Sequence, residues 1–387
     1  MKVLYIGGDL QATGASFSMA KLIEEEEKIG VDIIPVVRKG NTHNLLEKEG
    51  KKHYTVETWS WMIDNDNSLL KNKLHMIVKS LLNISSYIKY KKIISIENPD
   101  IIHINSLTTY AGAKAAITCK KPLVWHIREM MEEDLNGSFW NKRQAYRLMK
   151  KADCFIAISE CVKNKYCKIV GNNKIKCIYN GVDKDLFYNE KHTIFNKKEI
   201  FITMAGRITN EKGQLNCLKS LIPLLKTNSN IILCFAGDGD DKTVSKLHSI
   251  VEKNNVNKSQ VKFLGFVKDM NELWGKTDIG IVYSKFEAFG RVTVEAKMAG
   301  ALVIGFNSGG TSELIEDGVD GFLFDDDTRS LSETVKFTLE NINKSRIIAD
   351  TGRKRATKIF TSENNAKQVV NLYKEVLDSR IKSIERC

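Results

Sequence analysis

The chain has 387 residues, 42% of them hydrophobic and 27% charged, with a formal net charge of +12 spread over both halves. Single cores rarely grow beyond about 250–300 residues, so two domains are expected, and the composition is that of a globular chain rather than a disordered one. No stretch approaches the ~18 apolar residues of a membrane span.

The opening run Met1-Lys2-Val3-Leu4-Tyr5-Ile6-Gly7 reads as a buried strand entering a turn. Its apolar core is too short for a signal peptide and no cleavage site follows, so a cytoplasmic protein is expected. After the strand at 3–6 comes a glycine loop, Thr13-Gly14-Ala15-Ser16, then a helix over 18–29 and a strand over 32–37. Between Asp66 and Glu97 there is no acidic residue, while Lys71, Lys73, Lys79, Lys89, Lys91 and Lys92 fall inside the window. Leu70, Leu74, Ile77, Leu81, Ile84 and Ile88 recur there at helical spacing. The segment 71–92 reads as a basic amphipathic helix suited to an anionic membrane surface. The alternative is a core-packing helix with a solvated lysine face.

Strands follow at 101–105, 123–127 and 154–158, alternating with helical stretches, which is the α/β pattern of a parallel sheet covered on both faces. The pattern restarts after the polar stretch 189–198, with strands at 200–204, 231–236, 261–264, 279–282, 302–304 and 322–324, and a helix over 214–225. The fold expected is two doubly wound, Rossmann-like α/β domains facing one another across a cleft. Residues 1–190 form the first, 191–365 the second, and 366–387 a last helix that can cross back. Ligands of such sheets bind beyond the carboxyl ends of the strands. The eight cysteines are scattered, with no C-x-x-C pair and no histidine partner at zinc spacing, so reduced thiols are expected.

Glu287 and Glu295 are the most informative pair. They lie eight positions apart, in Ser284-Lys285-Phe286-Glu287-Ala288-Phe289-Gly290-Arg291-Val292-Thr293-Val294-Glu295. Glu287 falls in a loop after the strand, and Glu295 about two turns into the next helix. Between them the N–H groups of Phe289, Gly290 and Arg291 point out of the helix N-terminus, a ready anion site. Carboxylates suit hydroxyls and amides suit phosphate, the needs of a nucleotide-sugar. Arg207 follows a strand and Lys212 comes five residues later, so both can converge on one diphosphate. Read without context, they are a surface Arg and Lys at a strand end. Asp238, Asp240 and Asp241, and likewise Asp325, Asp326 and Asp327, read as turn residues, and no metal is expected.

These motifs come in a definite order. Ala205-Gly206-Arg207 with Glu211-Lys212-Gly213 is followed by Ala236-Gly237-Asp238-Gly239 and Phe263-Leu264-Gly265-Phe266. Then come the Glu287/Glu295 block, Gly309-Gly310-Thr311-Ser312-Glu313 and Asp317-Gly318-Val319-Asp320-Gly321. The series resembles the retaining glycosyltransferases of family 4, which have the two-domain GT-B fold. The first half agrees more loosely, through Gly14, through Trp125-His126-Ile127-Arg128-Glu129, and through Asn180-Gly181-Val182-Asp183.

The resemblance implies transfer of a sugar from a UDP- or GDP-linked donor to a hydroxyl of a glycan or lipid-linked acceptor, with retention and an α-linkage, without a metal. Arg207 and Lys212 would hold the diphosphate, Glu287 the transferred sugar and Glu295 the ribose. Phe266 and Val267 would meet the base through their backbone. Gly14, Ala288, Phe289, Gly290 and Arg291 would complete the donor site. His126 would lie near the reaction centre, with Arg128 and Glu129 toward the acceptor. The loop has one glycine where many members have two, and Ala288 stands where glycine is common. Cell-surface polysaccharide or glycolipid synthesis is the implied setting.

Three rivals remain. A dinucleotide oxidoreductase is disfavoured because G-x-G-x-x-G is absent and the strand over 32–37 ends at Arg38 rather than at an acid. A sugar-nucleotide epimerase and a non-catalytic partner subunit are the others. No nucleic-acid partner is expected.

Overall fold

A computed structural model describes every residue apart from 8–13, 328 and 385–387, and within helices leaves aside the side chains of residues 14, 15, 134, 383 and 384. The chain divides into two compact units, Met1–Gly181 with Ser362–Cys387, and Val182–Thr361. The divisions fall at 181/182 and 361/362, earlier than the 190/191 and 365/366 positions expected from sequence.

The first unit contains β1 (Lys2–Ile6), β2 (Asp32–Val37), β3 (Tyr54–Thr55), β4 (Met62–Asp64), β5 (Ile101–Asn105), β6 (Leu123–Ile127), β7 (Gly137–Phe139), β8 (Cys154–Ala157) and β9 (Ile175–Cys177). Seven of these form a parallel sheet in the order β3-β2-β1-β5-β6-β8-β9, and β4 pairs antiparallel with β7. β5 and β6 are buried at every position, which is why they read as unbroken apolar runs rather than alternating ones. The helix Ser362–Ile384 belongs to this unit. Its Ala366, Val369, Val370, Tyr373 and Val376 share one core with Val3, Tyr5, Met19 and Leu22. A Cβ on Gly181 would lie 2.5 Å from the Ser362 Cα, so only glycine lets the chain pass the start of that helix.

The basic segment forms one long helix, Leu69–Glu97. Ser68 caps it by accepting from the Lys71 N–H, and Asn98 ends it in the left-handed region. It packs through a mixed face that includes Met76, Tyr90, Ile93 and Ile94, but not through the apolar series that marked it in the sequence. Leu70, Leu74, Ile77, Leu81, Ile84 and Ile88 are all exposed, whereas Asn72, Asn83 and Ser86 are buried. The reason is hydrogen bonding. Asn83 donates to the Trp59 carbonyl and accepts from the Trp59 N–H, Ser86 donates to the Glu57 carbonyl, and Asn72 donates to the Asp64 carbonyl. The polar stripe satisfies the extended segment 57–64, which lacks a full ladder of its own.

The second unit contains β10 (Ile200–Ala205), β11 (Ile231–Ala236), β12 (Val261–Phe263), β13 (Ile279–Val282), β14 (Leu302–Phe306) and β15 (Phe322–Phe324). They pair in parallel in the order β12-β11-β10-β13-β14-β15. Counted within the unit this is 3-2-1-4-5-6, so the strand order reverses between β10 and β13. Both units are thus doubly wound α/β folds.

Candidate active site

The reversal point of the second sheet gathers the sequence motifs. Three loops leave the carboxyl ends of β10, β11 and β12 and are stitched together by backbone bonds. Gly206 N–H donates to the Ala236 carbonyl (2.8 Å), Ile208 N–H to the Asp238 carbonyl (2.8 Å) and Gly237 N–H to the Gly265 carbonyl (2.7 Å). Gly237 has φ of 145°, and a Cβ there would stand 2.1 Å from the Gly206 oxygen. No other residue fits so close to the neighbouring strand.

Arg207 leaves β10 exposed, and its guanidinium makes no hydrogen bond or ion pair among the described residues. Lys212 lies in the following turn. Gly213 ends that turn with φ of 83°, and a Cβ on it would meet Tyr283 at 2.8 Å, so the turn rests on the end of β13. That contact brings the Lys212 Nζ to 2.5 Å from the Glu287 Oε1. The two residues are 75 positions apart in sequence. Gly310 N–H donates to the Glu287 carbonyl (2.7 Å), and a Cβ on Gly309 would lie 2.8 Å from that same oxygen. The Gly309-Gly310 pair therefore lets the helix Gly309–Leu314 press onto the Glu287 loop.

The helix Arg291–Met298 starts after Gly290, which sits at φ of 90° as its N-cap. Glu295 is the fifth residue of this helix, just over one turn in rather than about two. Its carboxylate is buried and already engaged. Oε1 accepts from Arg291 Nε (2.6 Å) and Oε2 from Trp274 Nε1 (3.4 Å). A carboxylate offers about four lone-pair sites, so acceptor capacity remains for hydroxyls. Ala288 and Phe289 are buried, and Phe289 packs edge-on against Phe360. Phe266 stands 72% exposed in the loop after β12, beside the half-buried Val267.

Beneath this surface lies an ion pair that sequence reading left unassigned. Lys297 is fully buried on the helix that carries Glu295, and it donates to the Asp320 Oδ1 (2.8 Å) and the Leu314 carbonyl (2.5 Å). Burial pushes the Lys297 ammonium down to about 8 against the pull of Asp320. Asp320 also accepts from the Glu316 N–H (2.8 Å) and pairs with Arg355 at 3.1 Å. The aspartate of the Asp317–Gly321 motif thus acts as an anchor for the helix.

In the first unit, Gly14 opens the helix Gly14–Lys28, and Thr13 before it lies outside the described residues. His126 is fully buried at the end of β6, and its Nε2 has no hydrogen-bond partner among the described residues. Its Nδ1 lies 3.2 Å from the Nε2 of His103, whose Nδ1 lies 2.6 Å from the Tyr373 hydroxyl. Tyr373 donates in turn to the Glu26 Oε1 (3.2 Å). Burial, then the Arg128 charge, holds both histidines well below their usual range and therefore neutral. Burial raises Glu26 well above the usual carboxylate range.

Arg128 and Glu129, expected toward the acceptor, are both buried and committed to protein partners. Arg128 donates to Asn105 and to the Asn180 Oδ1 (2.6 Å). Glu129 accepts from the Ser106 hydroxyl and the Leu107 N–H, both at 2.6 Å, and from the Arg128 N–H at 3.1 Å. They pin the loop after β5. Asn180 is thereby explained as the residue that orients Arg128, and Asp183 as a cap accepting from the Asp185 and Leu186 N–H groups.

Sequence reading missed Trp274, Lys297, His103, Tyr373 and Glu26. Each is buried and takes its partner from a distant element, so no local spacing marks it. It also missed a cluster of His43, Glu47 and His53. Here a signal existed, since His43 and Glu47 stand four apart, the spacing that puts two side chains on one helix face.

A doubly wound sheet with basic and acidic side chains on the loops at its reversal point offers a place for a polar, anionic ligand beyond the carboxyl ends of its strands. The fold is GT-B. The Anabaena Alr3699/HepE structure in complex with UDP-glucose matches it with a TM-score of 0.77 and 22% identity, over 97% of this chain and 100% of that one. Residues 188–355 match the family described as "Glycosyl transferases group 1", and residues 68–186 match "Glycosyltransferase Family 4". The chain is therefore a glycosyltransferase of the family 4 type. It is 27% identical to "Uncharacterized glycosyltransferase MJ1607" of Methanocaldococcus jannaschii, over 74% of this chain and 78% of that protein. It is 24% identical to the "Capsular polysaccharide biosynthesis glycosyltransferase CapM" of Staphylococcus aureus, over 89% of this chain and 94% of that protein.

Proposed function

We propose that the second unit binds a nucleoside-diphosphate sugar, UDP- or GDP-linked, and that the enzyme transfers the sugar with retention to a glycan or lipid-linked hydroxyl, forming an α-linkage in surface polysaccharide synthesis. The observation that carries the reading is the Lys212–Glu287 pair at the sheet's reversal point, in the same loop as an exposed Arg207 whose guanidinium has no partner among the described residues. Lysine has three donors, so one can remain on Glu287 while another meets a phosphate oxygen. Arg207 would take the other phosphate. Leaving-group charge would then be met by two cations, and charge of this kind, once held in the site, is usually the largest catalytic term. Glu287 would accept from hydroxyls of the transferred sugar, and Glu295 from the ribose. Phe266 and Val267 would meet the base through the backbone, and the amides of Ala288, Phe289, Gly290 and Arg291 would face the phosphate end. Same-face attack, with the leaving phosphate taking the acceptor's proton, needs no protein nucleophile and no metal.

In the first unit His126 would face the reaction centre through Nε2, which has no hydrogen-bond partner among the described residues. Gly14 would let backbone approach closely at the start of its helix. Arg128 and Glu129 would act by positioning β5 and β6 loops rather than by touching the acceptor. The comparison with a capsular polysaccharide enzyme supports a glycan acceptor.

The test is a thermal-shift screen of UDP- and GDP-sugars, followed by turnover of the best donor. Arg207→Ala with Lys212→Ala is expected to abolish the donor-induced shift and cut turnover by at least about a hundredfold. Unchanged turnover in the double variant refutes the reading.

The same reading places the enzyme at the cytoplasmic face of an anionic membrane. Exposed Leu70, Leu74, Ile77 and Leu81 lie among exposed lysines with no acid between Asp66 and Glu97, and that mixture suits lipid headgroups and acyl chains together. No helix among the described residues is long and apolar enough to cross a membrane. Flotation with vesicles of anionic lipid is expected, with loss on replacing Leu74, Ile77 and Leu81 by Ser. Protein left at the bottom of the gradient counts against membrane docking.

A further inference from the structure

We propose that His43, Glu47 and His53 form a Zn²⁺ site at the edge of the first sheet. One nitrogen from each imidazole and one carboxylate oxygen lie within 4.8 Å of one another. His43 and Glu47 sit four residues apart on the helix Asn41–Lys48, so both project from one face. The chain turns at Gly50, φ 65°, and runs back through Lys51 and Lys52, which sets His53 against that face just before β3.

The hydrogen bonding prepares the donors. His53 Nδ1 lies 2.8 Å from the Lys51 carbonyl, which accepts only, so Nδ1 carries the proton and Nε2 presents its lone pair. A ring nitrogen fixed by a backbone carbonyl is the usual support behind a metal-bound histidine. That Nε2 faces the His43 Nδ1 at 2.9 Å, with the Thr55 hydroxyl 3.3 Å from the same atom. His43 Nε2 lies 3.5 Å from Glu47 Oε1. In the metal-free form a proton on His43 Nδ1 bridges the two rings. Zn²⁺ takes the place of that proton, which moves through solvent to His43 Nε2, and the exposed Glu47 swings in as the third ligand. Water completes a four-coordinate site.

Lys51, two residues before His53, does not compete. Lys51 Nζ is paired with Glu27 (2.9 Å) and Glu49 (3.6 Å). Two imidazoles and one carboxylate suit Zn²⁺, whereas Mg²⁺ prefers an all-oxygen set. Bound zinc ties the helix to edge strand β3. It touches none of the residues assigned to the donor.

Chelator-stripped full-length protein is titrated with Zn²⁺ by calorimetry and with Co²⁺ by visible absorption. One equivalent is expected to saturate, Mg²⁺ to give no heat, and zinc to raise the melting temperature. Glu47→Gln, an exposed change that leaves the fold intact, and His53→Gln are each expected to weaken binding by at least about tenfold. Full affinity in the Glu47→Gln/His53→Gln double variant overturns the assignment. So does a thiolate-to-cobalt band, which would move the metal to cysteine, and so does the lack of saturation at one equivalent.

Discussion

Lys297→Met tests the anchoring of the Glu295 helix. The substitution keeps the aliphatic stem and removes the ammonium, which is 1% exposed against an Asp320 that is 3% exposed. Breaking a buried pair by deleting one partner costs about 3–5 kcal/mol, because the other charge is stranded. Asp320 is not wholly stranded, since it keeps the Glu316 N–H and Arg355. The Leu314 carbonyl, however, loses its donor, a loss of about 1 kcal/mol. The expected cost is therefore near the lower end, about 3 kcal/mol. A domain the size of Val182–Thr361 shifts by about 2–4 °C per kcal/mol, so its calorimetric transition should fall by roughly 6–12 °C. Adding Asp320→Asn should recover about 1–3 kcal/mol of that loss, because the two residues are in contact and their effects do not add. A transition within about 2 °C of wild type for the single variant, or strict additivity in the pair, refutes the reasoning. Donor affinity should fall alongside stability, since Glu295 rides on the same helix.

Gly237→Ala should cost about 2–3 kcal/mol and weaken donor binding, because φ of 145° and a 2.1 Å approach to the Gly206 oxygen force the β10 and β11 loops apart. Equal melting temperatures and donor affinities would contradict that. His103 and His126 have lowered folded-state pKa values, so the unfolded chain binds more protons around pH ~6.5, and stability should fall as pH drops through that region. Glu26 has the opposite sign: its contribution is full below about pH 4.3 and declines as pH rises. Denaturant melts from pH 8 to 5 should therefore show a shallower acid slope for His103→Gln/His126→Gln; an unchanged slope would count against burial of neutral rings.

Much of the second unit was legible because its signals are local. β11, β13 and β15 are short apolar runs bounded by turn residues, and their bounds coincide with the expected ones. The glycines that the motifs preserve were also visible, although their reason was not: Gly213 fits Tyr283, and Gly310 fits the loop of Ala288 and Phe289. β3, β4, β7 and β9 escaped because, unlike the all-apolar β15, they are short and interrupted by polar or small residues, among them Thr55, Asp64, Ser138 and Lys176. The helix Leu69–Glu97 was legible as a helix, but which face it buries was not. Hydropathy points inward with the leucines and isoleucines of 70–88, and here the backbone of 57–64 drew Asn83 and Ser86 inside instead, beside Met76, Tyr90, Ile93 and Ile94.

The order of strands and loops, and the residue types at their ends, follow from chain-local propensity and pattern, so the amino-acid order alone determined the doubly wound class and singled out Arg207, Lys212, Glu287 and Glu295 as candidates. Their chemical state was decided only by packing. Lys212 reaches Glu287 from 75 residues away because Gly213 admits Tyr283. Glu295 meets Trp274, and Arg128 is taken up by Asn105 and Asn180. Which partner each charge receives depends on distances set between elements, and no periodicity along the chain encodes those distances.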